Sequence, residues 1–123
     1  MATDLSINLP NTPGTLAQLG EALGEAGVNV EGIACLPVGD QGSTHILVDD
    51  PASARSALEA AGIEVISEAE AVTVDVEDRP GTLGSVGRAA ADAGINLEVV
   101  YLATATRLVL VGDDAAVLRD AVG

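Results

Sequence analysis

Two short runs in this chain have the residue types to hold a small zwitterion. Pro13-Gly14-Thr15-Leu16 and Pro80-Gly81-Thr82-Leu83 each place a glycine where a helix is expected to begin. A helix N-terminus offers unpaired N–H groups and a partial positive charge, which suits a carboxylate. Gly14 and Gly81 carry no side chain to keep a ligand off the backbone. Asn29 and Asn96 follow at matching places; a primary amide accepts from an ammonium group and donates elsewhere. A free α-amino acid presents both charges. Two plainer readings stay open, Pro-Gly as a turn and Asn as a turn residue before a strand.

Other reactive side chains are sparse. Cys35 and His45 are the single cysteine and histidine. Nucleophilic catalysis needs such a pair to meet and a third group to orient it, and no third group suggests itself. His45 is expected at the start of a strand in a structural role, and Cys35 as a small core residue. One Cys and one His cannot make an all-protein zinc site. The carboxylates are scattered over turns and caps, and Gly39-Asp40 and Asp49-Asp50 lack the spacing of a calcium loop. No metal and no cofactor are expected. Gly81, Gly84 and Gly87 have G-x-x-G-x-x-G spacing, which is not a dinucleotide loop. These glycines, with Gly20 and Gly24, are expected to allow close helix packing.

The elements that position these residues come in two copies. Pro13-Gly14-Thr15-Leu16 recurs at 80–83, and Ala26-Gly27-Val28-Asn29-Val30-Glu31 recurs as Ala93-Gly94-Ile95-Asn96-Leu97-Glu98, both at an offset of 67 residues (13 to 80, 26 to 93). Leu5, Ile7 and Leu9, and Val72, Val74 and Val76, alternate with polar residues as half-buried strands do. Pro13 and Pro80 suit the first helical position. Leu16, Leu19 and Leu23 fall on one helical face, matched by Leu83, Val86 and Ala90, and Gly27 and Gly94 close the helices. Second strands are expected over 29–38 and 96–104. A hairpin turn is expected at Gly39-Asp40-Gln41-Gly42 and a tighter one near Ala103-Thr104-Ala105. Third strands over 46–48 and 108–111 are apolar enough to be central. Second helices begin at Asp49-Asp50-Pro51 and Asp113-Asp114.

A fourth strand, Glu64-Val65-Ile66, follows in the first copy and has no counterpart in the second. The fold class is therefore α+β: two tandem ferredoxin-like modules, βαββαβ over 1–69 and βαββα over 70–123, each an antiparallel sheet with two helices on one face. A short linker is expected near Ser67–Ala71. The first strand of the second copy should show an open edge, covered by another strand from the first copy or a second chain, unless the sequence is cut short.

Composition narrows the function classes. The 123 residues are 48% hydrophobic, with no Phe or Trp and one Tyr, so the cores must be aliphatic. A formal charge of −14 repels nucleic acid and anionic membranes. A lone cysteine fits a reducing cytoplasm. The N-terminus has no basic n-region or apolar h-region, so no signal peptide is expected, and no apolar run approaches the ~20 residues of a membrane span. Such small aliphatic modules bury little surface alone, which favours a homodimer.

Glu77-Asp78-Arg79-Pro80-Gly81-Thr82-Leu83, followed by Ala93-Gly94-Ile95-Asn96-Leu97, resembles the signature of ACT domains, small βαββαβ regulatory modules that bind amino acids. Leu9-Pro10-Asn11-Thr12-Pro13-Gly14-Thr15-Leu16 with Gly27-Val28-Asn29-Val30 resembles a second copy, in which Asn11-Thr12 replaces Asp78-Arg79. No catalytic domain is expected beside them, which is similar to stand-alone tandem ACT proteins. The resemblance implies a ligand held where the first strand-to-helix loop of one module faces the second strand of another. Carried over, it nominates Asn11, Thr12, Pro13, Gly14, Thr15, Leu16 and Asn29 in one copy. In the other it nominates Asp78, Arg79, Pro80, Gly81, Thr82, Leu83 and Asn96. Tyr101, with Val99 beside it, is expected to pack in a core or interface, or to reach the pocket.

The function this implies is a sensor of a free amino acid, without catalysis, acting on a regulated metabolic enzyme. Walls of Leu, Val and Ala suggest a small or aliphatic ligand. The rivals are a dimerising adaptor that binds no ligand and, ranked last, an enzyme using Cys35 or His45.

Overall fold

Alternation becomes strand in both copies. Leu5, Ile7 and Leu9 lie on β1 (Thr3–Pro10), all buried on one face, while Ser6 and Asn8 face the other way. The computed structural model describes residues 2–104 and 107–123. After β1 come α1 (Thr15–Glu25), β2 (Gly32–Val38), β3 (Gln41–Val48), α2 (Pro51–Ala60) and β4 (Glu64–Glu70). The second round is β5 (Val72–Asp75), α3 (Thr82–Asp92), β6 (Leu97–Thr104), β7 (Arg107–Gly112) and α4 (Ala115–Val122). The chain divides into two compact units, Met1–Ala69 and Glu70–Gly123.

The first unit holds a four-stranded sheet in the order β2-β3-β1-β4, the second a three-stranded sheet in the order β5-β7-β6. These are tandem ferredoxin-like modules, the second with three strands among the described residues. The apolar third strands, β3 and β7, are central, as their composition implies. Two residues, Gly39 and Asp40, join β2 to β3, with Val38 opposite Gln41. The expected turn of the second copy includes Ala105, outside the described residues. Between β4 and β5 only Ala71 intervenes, so the linker is shorter than expected: β4 runs on to Glu70, with Val65 and Ala69 half-buried on one face. Within its sheet β5 pairs on one side only, with β7.

Each unit has its own aliphatic core. Leu5, Ile7, Leu9, Leu19, Leu23, Ile46, Val48, Ala54 and Leu58 form the first. Val72, Ala90, Leu108, Leu110 and Leu118 form the second, flanked by Val74, Val76, Val86, Ile95 and Leu97. Leu16 and Leu83 are corrections: both are exposed, while Leu19, Leu23 and Ala90 are buried. Helical phase sets the direction in which a first-turn residue points, but not whether anything lies opposite it.

The helix ends follow a rule within each unit. Gly27 and Gly94 close α1 and α3 with positive φ, and Val28 N–H and Ile95 N–H reach back to Leu23 O and Ala90 O, a Schellman closure. The starts of α2 and α4 are capped by carboxylates, Asp50 accepting from Ser53 N–H and Asp114 from Val117 N–H. Those bonds to Ser53 hold the Asp50 carboxyl below the usual carboxylate range, the backbone N–H first and the hydroxyl second. A carboxylate depressed by folding contributes stability that is present at neutral pH and lost as pH falls through its folded pKa. The melting-temperature advantage of wild type over Asp50→Asn should therefore shrink below about pH 4 and be flat above it.

Among the described residues, a Cβ on Gly20, Gly24, Gly84 or Gly87 would meet no atom within 4 Å beyond its own helix backbone and chain neighbours, so the expected close helix contact is not made there. These glycines lie on outward helical faces, where spacing alone does not tell a contact stripe from a bare one. Gly20→Ala and Gly24→Ala are expected to stabilise the chain by about 0.5–1 kcal/mol each, because alanine loses less backbone entropy on folding. Thermal melts of the single variants check this, and a lowered midpoint would signal a neighbour on that face.

Candidate functional site

The two glycine loops have the same build. Gly14 (φ 95, ψ −14) and Gly81 (φ 94, ψ −14) are the N-caps of α1 and α3. A positive φ lets the chain turn sharply from strand to helix, which L side chains resist. This corrects the placing of Pro13 and Pro80: each precedes the glycine cap and stays outside the helix. No side chain caps α1 or α3, in contrast to α2 and α4. The first-turn N–H groups of Leu83 and Gly84 have no acceptor within the helix.

In the second unit this N-terminus walls a cavity of about 340 Å³. Val76, Glu77, Asp78 and Arg79 of the loop and Thr82 and Leu83 of α3 form one side. Val100, Tyr101 and Leu102 of β6, with Leu108 of β7, form the other. Its origin lies in the packing. The helix α4 packs on β5 and β7, which leaves the edge strand β6 poorly covered. Val100 pairs with Leu110 and Leu102 with Leu108, so both face the core side, yet they are 42% and 55% exposed. Leu83 is 63% exposed. Three large apolar side chains thus surround a concave corner beside open N–H donors. At the rim, Arg79 Nε and Glu77 Oε2 form an exposed ion pair at 2.6 Å, of the kind that adds little stability.

Of the residues nominated in the second copy, the structure brings Asp78, Arg79, Thr82, Leu83 and Tyr101 to this corner. Pro80 and Gly81 shape the loop without lining the cavity, and Asn96 stands apart from it. Leu97 is opposite Gly112 and Asp75 opposite Arg107, so Asn96 and the loop lie at opposite ends of β7, about 17 Å or more apart. The first unit repeats the separation. Asn11 N–H bonds Asp40 O at one end of the sheet, and Thr12, Pro13, Gly14 and Leu16 are exposed around it, with Thr15 Oγ1 donating to Thr12 O at 3.1 Å. Asn29 instead lines a separate cavity of about 230 Å³ with Gly27, Asp49, Asp50 and Ser53. Loop and asparagine therefore do not meet within one module.

Sequence reasoning missed Val76, Glu77, Val100, Leu102 and Leu108. It paired Tyr101 with Val99, but Val99 is not in the cavity wall. Val99 sits opposite Val111, on the other face of the strand from Val100 and Leu102, whereas Tyr101, opposite Val109, is among the residues that line the cavity. Every residue over 99–102 is apolar or aromatic, so alternation could not say which face was which.

Cys35 is exposed, not a core residue. It lies on an edge strand, and its Sγ accepts a 3.0 Å hydrogen bond from the buried Thr44 hydroxyl opposite it. His45 is inside β3, not at its start, and points to the other face, where Nδ1 is 2.9 Å from Asp4 Oδ2. The Cys–His pair that a nucleophilic enzyme needs is not formed. Among the described residues no group of three or more His, Cys, Asp or Glu side chains is placed for a metal ion, and no helix is long and apolar enough to cross a membrane.

Each unit is an open antiparallel sheet with two helices, and in the second an apolar pocket lies beside an uncapped helix start. The chain belongs to the ACT domain family, whose model matches residues 3–65. That match falls on the first module, the copy with Asn11-Thr12 in place of Asp78-Arg79. Among solved structures, a protein from Bacteroides thetaiotaomicron is 24% identical, with a TM-score of 0.83 over 97% of this chain and 84% of that one. The ligand-free regulatory subunit of aspartate kinase from Thermus thermophilus is 25% identical, with a TM-score of 0.75 over 98% and 87%. The same subunit from Thermus flavus is 24% identical, with a TM-score of 0.74 over 98% and 89%. No curated protein matches the sequence.

Proposed function

We propose that this chain is a cytoplasmic amino-acid sensor without catalysis of its own, which reports a free α-amino acid to a metabolic enzyme. The observation that carries this reading is the corner of the second module, where uncapped N–H groups of α3 stand beside an apolar cavity. The donors suit a carboxylate, and Asp78 and Glu77 at the rim suit an ammonium group. Loop and asparagine lie at opposite ends of a module, so a complete site takes the loop of one module and the asparagine of another, supplied by a second copy in a homodimer. The likeness to a regulatory subunit of aspartate kinase supports a partner enzyme. Ligand then shifts the assembly through its differential affinity for two arrangements.

The test is the melting temperature of the purified protein against each of the twenty amino acids, since binding to the native state raises it by mass action. The expected result is a shift with a narrow set of amino acids that disappears in Asn96→Ala. The exposed Val100 and Leu102 and the one-sided pairing of β5 favour a second reading, an adaptor that dimerises and binds no ligand. Silence for all twenty at millimolar concentration, with a dimer in sedimentation, selects the adaptor.

A further inference from the structure

The two modules carry the same corner with different floors. Val100 and Leu102 correspond to Ile33 and Cys35 at the 67-residue offset, and Leu83 to Leu16. Opposite them, Leu108 pairs with Leu102 as Thr44 pairs with Cys35. In the first module that cross-strand pair is polar, the Thr44 hydroxyl donating to Cys35 Sγ at 3.0 Å. In the second it is two leucines, and with Val76, Val100 and Leu83 they make the cavity wall apolar on that side.

A second difference lies at the helix start. Thr15 Oγ1 donates to Thr12 O at 3.1 Å. Its counterpart Thr82 Oγ1 is buried and has no hydrogen-bond partner among the described residues, although Thr82 lines the cavity. A buried hydroxyl without a partner is uncommon. Threonine in a helix divides between two χ1 rotamers, so a single rotation can turn this hydroxyl toward a bound group. It then joins the N–H groups of Leu83 and Gly84 around one anion.

Resting on the amino-acid-sensor reading above, we propose that the second module's cavity selects an α-amino acid with an aliphatic side chain, of the leucine, isoleucine or valine type, and rejects hydroxylated and charged ones. The carboxylate sits at the start of α3 and takes the unpartnered Thr82 hydroxyl. The side chain lies on Val100, Leu102 and Leu108. Those three side chains offer a ligand hydroxyl or charge no hydrogen-bond partner, and leaving a polar group unpaired against an apolar wall is what discriminates most strongly. The first module, with Cys35 and Thr44 in the equivalent places, does not present this floor.

The experiment is calorimetric titration of the full chain with L-leucine, L-isoleucine, L-valine, L-threonine, L-lysine and L-aspartate, on wild type, Leu102→Ser, Thr82→Val and Thr82→Ser. Leu102 is more than half exposed, so Leu102→Ser folds. It is expected to weaken the best aliphatic ligand by about tenfold or more. Thr82→Val removes a hydroxyl that has no partner, so it should melt at or above the wild-type temperature while losing affinity. Thr82→Ser should keep both. Binding of threonine, lysine or aspartate in preference to all three aliphatics overturns the ligand class and leaves amino-acid sensing standing. Aliphatic binding unchanged in Leu102→Ser overturns the location. No binding by any of the six, together with silence across all twenty in the melting scan, overturns this inference and the sensor reading together.

Discussion

Leu110→Ala is expected to destabilise the protein by about 2–5 kcal/mol and to lower its melting temperature by on the order of 10 °C. Leu110 is fully buried on the central strand β7, opposite Val72 on one side and Val100 on the other. Truncation removes three carbons and leaves a void that flanking strands cannot close without breaking their pairing. Urea denaturation of wild type and variant measures the loss directly. Leu83→Ala is the companion: Leu83 is largely exposed, so its removal should change stability by no more than about 0.5 kcal/mol while emptying one wall of the cavity. A variant that folds normally and has lost its ligand response separates site from scaffold.

Gly81→Val is expected to show the second large effect, about 1–3 kcal/mol of destabilisation together with loss of ligand response. Gly81 sits at φ 94, and a Cβ there would meet nothing within 4 Å. The penalty is therefore conformational: a β-branched residue resists this region of backbone space. Gly81→Asn tests that cause, because asparagine enters the left-handed region far more readily. If asparagine restores most of the stability and valine does not, the backbone angle is responsible. Equal losses in both would point instead to a neighbour that needs the bare glycine, such as a second copy. Since the loop sets the uncapped start of α3 beside the cavity, the response to ligand should follow the stability of the loop in this series.

How far the site could be read ahead depended on which signals were local. Asp78, Arg79, Thr82 and Leu83 were legible because a proline-glycine step before a helix is a local event, repeated in both copies. Val100, Leu102 and Leu108 were not. Their role depends on β6 being an edge strand that the helices leave uncovered, and strand order is not written in any one segment. The exposure of Cys35 has the same cause, since β2 is the corresponding edge of the first sheet. The bare helix glycines were misread because a small-residue stripe looks the same whether or not something rests on it. Asn29 and Asn96 were nominated through a family likeness, and the structure adds that each lies far from its own module's loop.

By itself the sequence determined the repeat, the order of elements in each copy, the aliphatic cores, the acids that cap α2 and α4 and the glycines that close α1 and α3. These follow from periodicity, glycine and proline placement and capping acids, all of which act within a few residues. Only the tertiary structure decided that β2 and β6 are edge strands, and so where apolar side chains are left uncovered. Only it separated the loop from the asparagine and left the Thr82 hydroxyl without a partner while Thr15 has one. Those outcomes depend on contacts between residues far apart in the chain, where pairing register and helix cover, not local propensity, set the environment of each side chain.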